Sequence, residues 1–174
     1  MDMGKSWIYI AFATIMILLM FVLTIFLIEI NSIISLGNRV ENSLIGAGWT
    51  GFSEMDLEKM SKRKAGLDDP QAREIYLDKV KAVNVVRQYI RENLKLNINY
   101  VPTDESYIPH KTNPVIIDEI RIFNPDELPT VASNGTTITR TTIYISIQIP
   151  IDIKGIGFVY AKKNVFVDID SFIH

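Results

Sequence analysis

Few residues in this sequence could do chemistry. Its 174 residues include two histidines and no cysteine, so thiol nucleophiles, disulfides and zinc-thiolate sites are excluded. His174 stands at the end of the sequence, where fraying is expected. His110 lies in a proline-rich stretch among Asp104, Glu105 and Lys111, and reads as a solvated loop histidine rather than a metal ligand. Asp152, Asp168 and Asp170 could suggest calcium. The sequence around them lacks the alternating carboxylates and glycine of a calcium loop, so they are expected to be solvent-facing strand residues. No serine sits in G-x-S-x-G, and no His–Asp pair is placed to activate a hydroxyl. Gly155-Ile156-Gly157 is too short for a phosphate loop and reads as a hairpin turn. Asn134-Gly135-Thr136 matches a glycosylation sequon, but Asn-Gly already has a structural purpose at a hairpin tip. Lys62-Arg63-Lys64 is interleaved with acids and reads as a solvated helix end. The expectation is no catalytic, cofactor-binding or metal residue, no cofactor, and no enzyme.

Charge narrows the partners further. The chain carries 18 Lys and Arg against 20 Asp and Glu, a formal net charge of −2. After Glu29 the balance is 17 basic to 18 acidic, so nothing attracts nucleic acid, which needs clustered basic residues.

The elements explain why so little chemistry is on offer. From Trp7 to Ile28 the sequence reads WIYIAFATIMILLMFVLTIFLI, uncharged, with two threonines as its only polar residues. As a helix these 22 residues extend about 33 Å, enough to cross a hydrocarbon core of about 30 Å. A cleaved signal peptide is the rival reading, but the run is long for one and no A-x-A-like site follows closely. Lys5 before the run, and no basic residue after it until Arg39, point to an inside N-terminus with the C-terminal part outside the cytoplasmic membrane.

Beyond Glu29 an apolar stripe of Ile30, Ile33, Ile34, Gly37, Val40 and Leu44 continues at helical spacing. GAGWTG, Gly46 to Gly51, is expected to end the helix. Three parts follow: a membrane anchor over 1–29, a helix extension over 30–48, and a soluble head over 49–174. Ser53 opens a capping-box-like S-E-M-D, predicting a helix from Glu54 to about Ala65, stopped near Gly66. Asp69-Pro70 predicts the start of another, reaching about Leu94, with Tyr76, Val80, Val83, Val86 (or Arg87), Ile90 and Leu94 inward. Asn97 to Pro114 reads as a loop with one short extended piece.

The period then changes to two. Val115 to Phe123 predicts a strand with Ile116, Asp118, Ile120 and Ile122 on one side, turned by Asn124-Pro125-Asp126. A weak strand over Pro129 to Ala132 leads to the Asn134-Gly135 tip. Ile143, Ile145, Ile147, Ile149 and Ile151 share one face of the clearest strand; Thr142, Tyr144, Ser146 and Gln148 share the other, expected to meet water. Pro150 should lie at an edge or beyond the pairing. The last strand, Phe158 to Ile169, carries Val165, Val167 and Ile169 on one face. The fold class is α+β, with helices packed on a small antiparallel sheet.

MDMGKS, the uncharged span, N-x-x-E-N-S-L-I-G-A-G and the terminal ISIQIPIDIKGIGFVYAKKNVFVDIDSF together resemble the pilin-like, TadE-like proteins of bacterial tight-adherence systems. Where that family's relatives carry a processing glycine and a Glu five residues on, Gly4 is followed by Tyr9. The resemblance therefore implies a minor pilin or an assembly component more than a major filament subunit. It implies a non-catalytic subunit of a cell-surface appendage or secretion apparatus, with other pilin-like subunits, assembly-platform membrane proteins and the lipid bilayer as partners. The alternative is a membrane-tethered module that binds or senses a ligand outside the cell.

Overall fold

The computed structural model describes residues 3–62, 75–154 and 157–168. The architecture is α+β: a long apolar N-terminal helix, shorter helices and a small antiparallel sheet. Contacts divide the chain into two compact units, Met1–Asn38 and Arg39–His174. Expectations at Gly66, Asp69-Pro70, Arg63, Lys64, Gly155, Ile156, Asp170 and His174 lie outside the described residues.

In the first unit there is one element, the start of α1 (Met3–Gly51). Its side chains from Trp7 to Ile28 are exposed. Thr14 and Thr24 donate their hydroxyls to Ile10 O and Met20 O, both at 2.8 Å, so the polar side chains of this stretch are satisfied by the helix itself. Ile34 is also exposed, at 55%, so the predicted stripe is not buried along its whole length.

In the second unit α1 continues from Arg39, burying Val40, Leu44 and Ala47 at the three- and four-residue spacing of one helix face. The glycine run does not unwind at its start; Gly46 and Gly48 stay helical and α1 ends at Gly51. A Cβ on Gly48 would stand 2.5 Å from Val167 Cγ2, and one on Gly51 would stand 2.6 Å from Ile143 Cδ1 and 2.8 Å from Val86 Cγ2. These glycines let the helix backbone lie against the sheet and against a neighbouring helix.

α2 (Leu57–Lys62) starts later than the sequence suggested. Its cap is Asp56, whose carboxylate accepts from Lys59 N at 3.0 Å, while Ser53 Oγ donates to Thr50 O at the end of α1. α3 (Lys79–Asn93) also starts later, at the Asp78 cap. Tyr76 and Leu77 are buried but extended, because their backbone is taken by other partners: Asp56 N bonds Tyr76 O, Asp78 N bonds Glu54 O, and Met55 bridges Leu77. Tertiary backbone pairing there overrides the helical period. The buried stripe of α3 is Ala82, Val86 and Ile90, whereas Val80 is 72% exposed. The Lys81 N–H and side chain hold the Asp78 carboxyl below its ordinary value, as a cap beside a helix N-terminus should.

The main sheet runs in the order β1 (Ile116–Phe123), β4 (Thr142–Ile153), β5 (Gly157–Asp168), all antiparallel. A second pair, β2 (Thr130–Val131) and β3 (Thr137–Ile138), forms the Asn-Gly hairpin, with Gly135 at φ 88°. β1 carries a bulge between Ile117 and Glu119. It shifts the side-chain parity, so Ile117, Ile120 and Ile122 share the face of the β4 isoleucines, and Ile116 and Asp118 do not. Pro150 pairs Tyr160 on β5, but β1 begins opposite Gln148. Its missing donor therefore falls beyond β1.

All five β4 isoleucines are buried, together with Val165 and Val167. The opposite face is not the wet surface expected of it. Thr142, Tyr144 and Ser146 are buried. Phe123, Ala132, Ile138 and Tyr144 form a second core, with Leu128 and Phe166 against it, and the β2–β3 hairpin contributes to this cover. Only toward the middle does the face become polar, where Asp118 accepts from Gln148 Nε2 at 2.7 Å and pairs with Lys162 at 3.3 Å.

Candidate functional site

The feature with the plainest physical consequence is α1 itself. It holds an 18-residue window of mean hydropathy 2.9 with none of it buried, long and apolar enough to cross a membrane.

In the head, the residues with chemical potential gather at one corner. Leu94 ends α3, and the chain turns through Lys95 and Tyr100, both in the left-handed region at φ 52° and 60°. Asn97 Oδ1 closes the turn by accepting from Asn99 N and Val101 N. The loop that follows is anchored rather than loose. Ser106 Oγ donates to Leu94 O, Lys111 Nζ donates to Thr103 O, and Ile108 is fully buried. Tyr107 reaches α1, its hydroxyl 2.9 Å from Ser43 Oγ and donating to Arg39 O at 3.2 Å. Burial pushes that phenol up, against the opposing hydrogen bond from Ser43 and the charge of Arg39. It therefore stays a neutral hydrogen-bonding group.

This loop delivers His110 to the turn end of the β4–β5 hairpin. His110 Nδ1 lies 2.7 Å from Asp152 Oδ1, and its ring stacks on Phe158 with centroids 4.9 Å apart. Its side chain is only 14% exposed, which corrects the expectation of a solvated loop histidine. In the neutral ring, a proton on Nδ1 facing the Asp152 carboxylate leaves the lone pair on Nε2. Nε2 is buried and meets no hydrogen-bond partner among the described residues. A carboxylate-held imidazole can serve as a general base, but only if its second nitrogen reaches a substrate proton. Here that nitrogen is enclosed, and the pair acts as a clasp between loop and hairpin.

Of the aspartates considered for calcium, Asp152 and Asp168 do not meet. Asp152 pairs Phe158 at one end of β4–β5 and Asp168 pairs Thr142 at the other, about 30 Å apart along the strands. Among the described residues no three His, Cys, Asp or Glu side chains gather where they could hold a metal ion. An open groove of about 470 Å³ is lined by Arg91, Glu92, Lys95, Leu96, Thr103, Asp104 and Glu105. Its lining side chains are mostly charged, in both signs, with Leu96 apolar among them, whereas clefts that hold small molecules are lined mainly by hydrophobic and aromatic side chains. Asn134 sits at the β2–β3 tip, its side chain accepting from Thr136 N at 3.1 Å.

No family model, curated protein or solved structure matches the chain.

Two constellations were not visible in the sequence. His110 and Phe158 are 48 positions apart, and no local period links a loop residue to a strand. Asn124 looked like a turn former, yet its buried side chain accepts from Leu77 N at 3.0 Å and donates to Leu77 O at 2.9 Å. That amide occupies the place a neighbouring strand would take.

Proposed function

We propose that the chain is a non-catalytic, pilin-like subunit or minor pilin of a cell-surface appendage or secretion apparatus. Its apolar N-terminal helix anchors it in the cytoplasmic membrane, with the head outside. The observation that carries this reading is α1: one helix of 49 residues, exposed and apolar at its start, and from Val40 onward burying one face, Val40, Leu44 and Ala47, in an α+β head. The N-terminal half then packs in lipid or on like helices, while the head meets neighbouring pilin-like subunits or assembly-platform proteins. The resemblance to TadE-like proteins supports the same reading. Cell fractionation and electron microscopy test it. The protein should resist carbonate washing of membranes and co-purify with filaments or an assembly complex. Recovery only as a dispersed membrane monomer would overturn it, as would a cytoplasmic reporter fused after His174.

The second reading, a tethered module that captures a ligand, draws on the groove beside Arg91. It requires that some small polar molecule or peptide raise the melting temperature of the head, and that Arg91→Ala abolish that shift.

A further inference from the structure

We propose that Asn134, at the tip of the β2–β3 hairpin, is a self-modification site. Its side-chain amide cyclises onto the nitrogen of Gly135 and hydrolyses to isoaspartate and aspartate, with water as the only co-reactant. The chemistry needs neither a membrane nor a partner.

Cyclisation requires a backbone nitrogen held beside a side-chain amide carbon. Asn134 is the one asparagine in the sequence followed by glycine. Gly135 stands at φ 88°, with nothing within 4 Å of the position a Cβ would take. No side chain, its own or a neighbour's, therefore shields that flank of the nitrogen. Residues 133–137 are all exposed, so water reaches the tip. Asn134 Oδ1 already accepts from Thr136 N at 3.1 Å. That oxygen is where negative charge gathers when the nitrogen adds to the amide carbon, and the Thr136 N–H is placed to stabilise it. One bond opposes the reaction: Gly135 N donates to Ala132 O at 2.9 Å and must let go first. The hairpin that holds it is small, pairing only Thr130 with Ile138 and Val131 with Thr137. Ladders so short open readily.

Two other asparagines show what the tip supplies. Asn97 Oδ1 accepts from Asn99 N at 2.9 Å in a like turn, but the nitrogen beside it belongs to Ile98, whose β-branched bulk shields it. Asn124 is buried and precedes Pro125, whose nitrogen has no hydrogen to give up. At Asn134 the bond from Gly135 N to Cγ forms and the bond from Cγ to Nδ2 breaks. The Gly135 proton leaves with the amide nitrogen as ammonia. One water then opens the ring at either carbonyl, and nothing is oxidised or reduced. Opening at the backbone carbonyl routes the main chain through the former side chain, adding one carbon between Ala132 and Thr136, which are bonded at 2.9 Å. Ala132 and Ile138 belong to the second core, so isoaspartate at the tip loosens that cover.

The full-length chain in detergent is kept warm at mildly alkaline pH, digested, and followed by mass spectrometry. Electron-transfer fragmentation tells isoaspartate from aspartate. The peptide holding Asn134 should gain one mass unit, mostly as isoaspartate, severalfold faster than the peptide holding Asn97. Both are read in the same unmodified chain, so no substitution can disturb the comparison. If Asn134 keeps its amide in the folded chain and converts only in urea, the hairpin protects it and the proposal is overturned. Equal rates at Asn97 and Asn134, or aspartate without isoaspartate, overturn it too. A sugar on Asn134 in the chain as isolated from its cells also overturns it, because the amide nitrogen is then capped.

Discussion

At the scale of single residues, buried polar groups decide where the head is most sensitive. Asn124 gives Leu77 both of its backbone hydrogen bonds in a site closed to water. Asn124→Ala strands a buried N–H and a buried C=O together, so a loss of about 2–4 kcal/mol is expected, read as a shift of the urea midpoint of the head. A change under 0.5 kcal/mol by the same measure, about the size of a neutral surface substitution, would mean that water replaces the amide. His110 is a different case. Its bond to half-exposed Asp152 is screened, its buried Nε2 has no partner among the described residues, and its stack on Phe158 supplies the packing. His110→Phe keeps the stack and removes the orphan nitrogen, so its stability should stay within about 1 kcal/mol of the native chain. His110→Ala opens a hole and should cost about 2 kcal/mol. If the two variants fall equally, the imidazole–carboxylate bond outweighs the ring contact.

At the scale of elements, the glycines of α1 pit helix propensity against packing. Alanine is better than glycine in a helix by about 1 kcal/mol. At Gly37 a Cβ meets nothing within 4 Å, so Gly37→Ala should stabilise the helix slightly. At Gly48 the new Cβ strikes Val167 at 2.5 Å. A β-branched strand residue cannot swing away, so overpacking of about 1–3 kcal/mol should win. Thermal melts of Gly48→Ala and of Gly48→Ala with Val167→Ala check this; the second change should recover much of the loss. The same glycines show where the sequence was legible and where it was not. Period and composition are local properties, and they were enough to place the long helix, the β4 isoleucine face and the Asn-Gly hairpin. The helix ends within the glycine run as expected, at Gly51, but the packing role of Gly48 was not legible, because its reason, a valine on a strand more than a hundred positions away, is not local. The expected helix does not run on through 75–78, and α3 begins at the Asp78 cap, for a like cause: backbone groups at Glu54 and Asp56 claim Tyr76 and Asp78. The bulge at Asp118 escaped notice because one extra residue leaves the alternation intact on each side. In the candidate site, the residue types of the His110 corner were noticed but their meeting was not.

At the scale of the whole molecule, the two compact units should lose structure under different conditions. The head, from Arg39 onward, is held by buried isoleucines, valines and backbone ladders that urea weakens by solvating apolar and peptide groups. If the run from Trp7 to Ile28 lies in lipid, its backbone groups have no alternative partner there, and unfolding them within the bilayer would leave each unsatisfied at several kcal/mol. Urea added to vesicles holding the full-length chain should therefore abolish the near-ultraviolet signal of the head, to which buried Tyr144 contributes. A residual helical far-ultraviolet signal from the apolar run should persist to the highest urea concentration. Without vesicles or detergent, that exposed apolar surface should drive aggregation instead. A single cooperative transition in vesicles, with helical and aromatic signals vanishing together, would mean that the apolar run is not shielded by lipid. Its stability would then have to come from protein contacts, and the anchor would have to be abandoned in favour of an assembly held together through that helix.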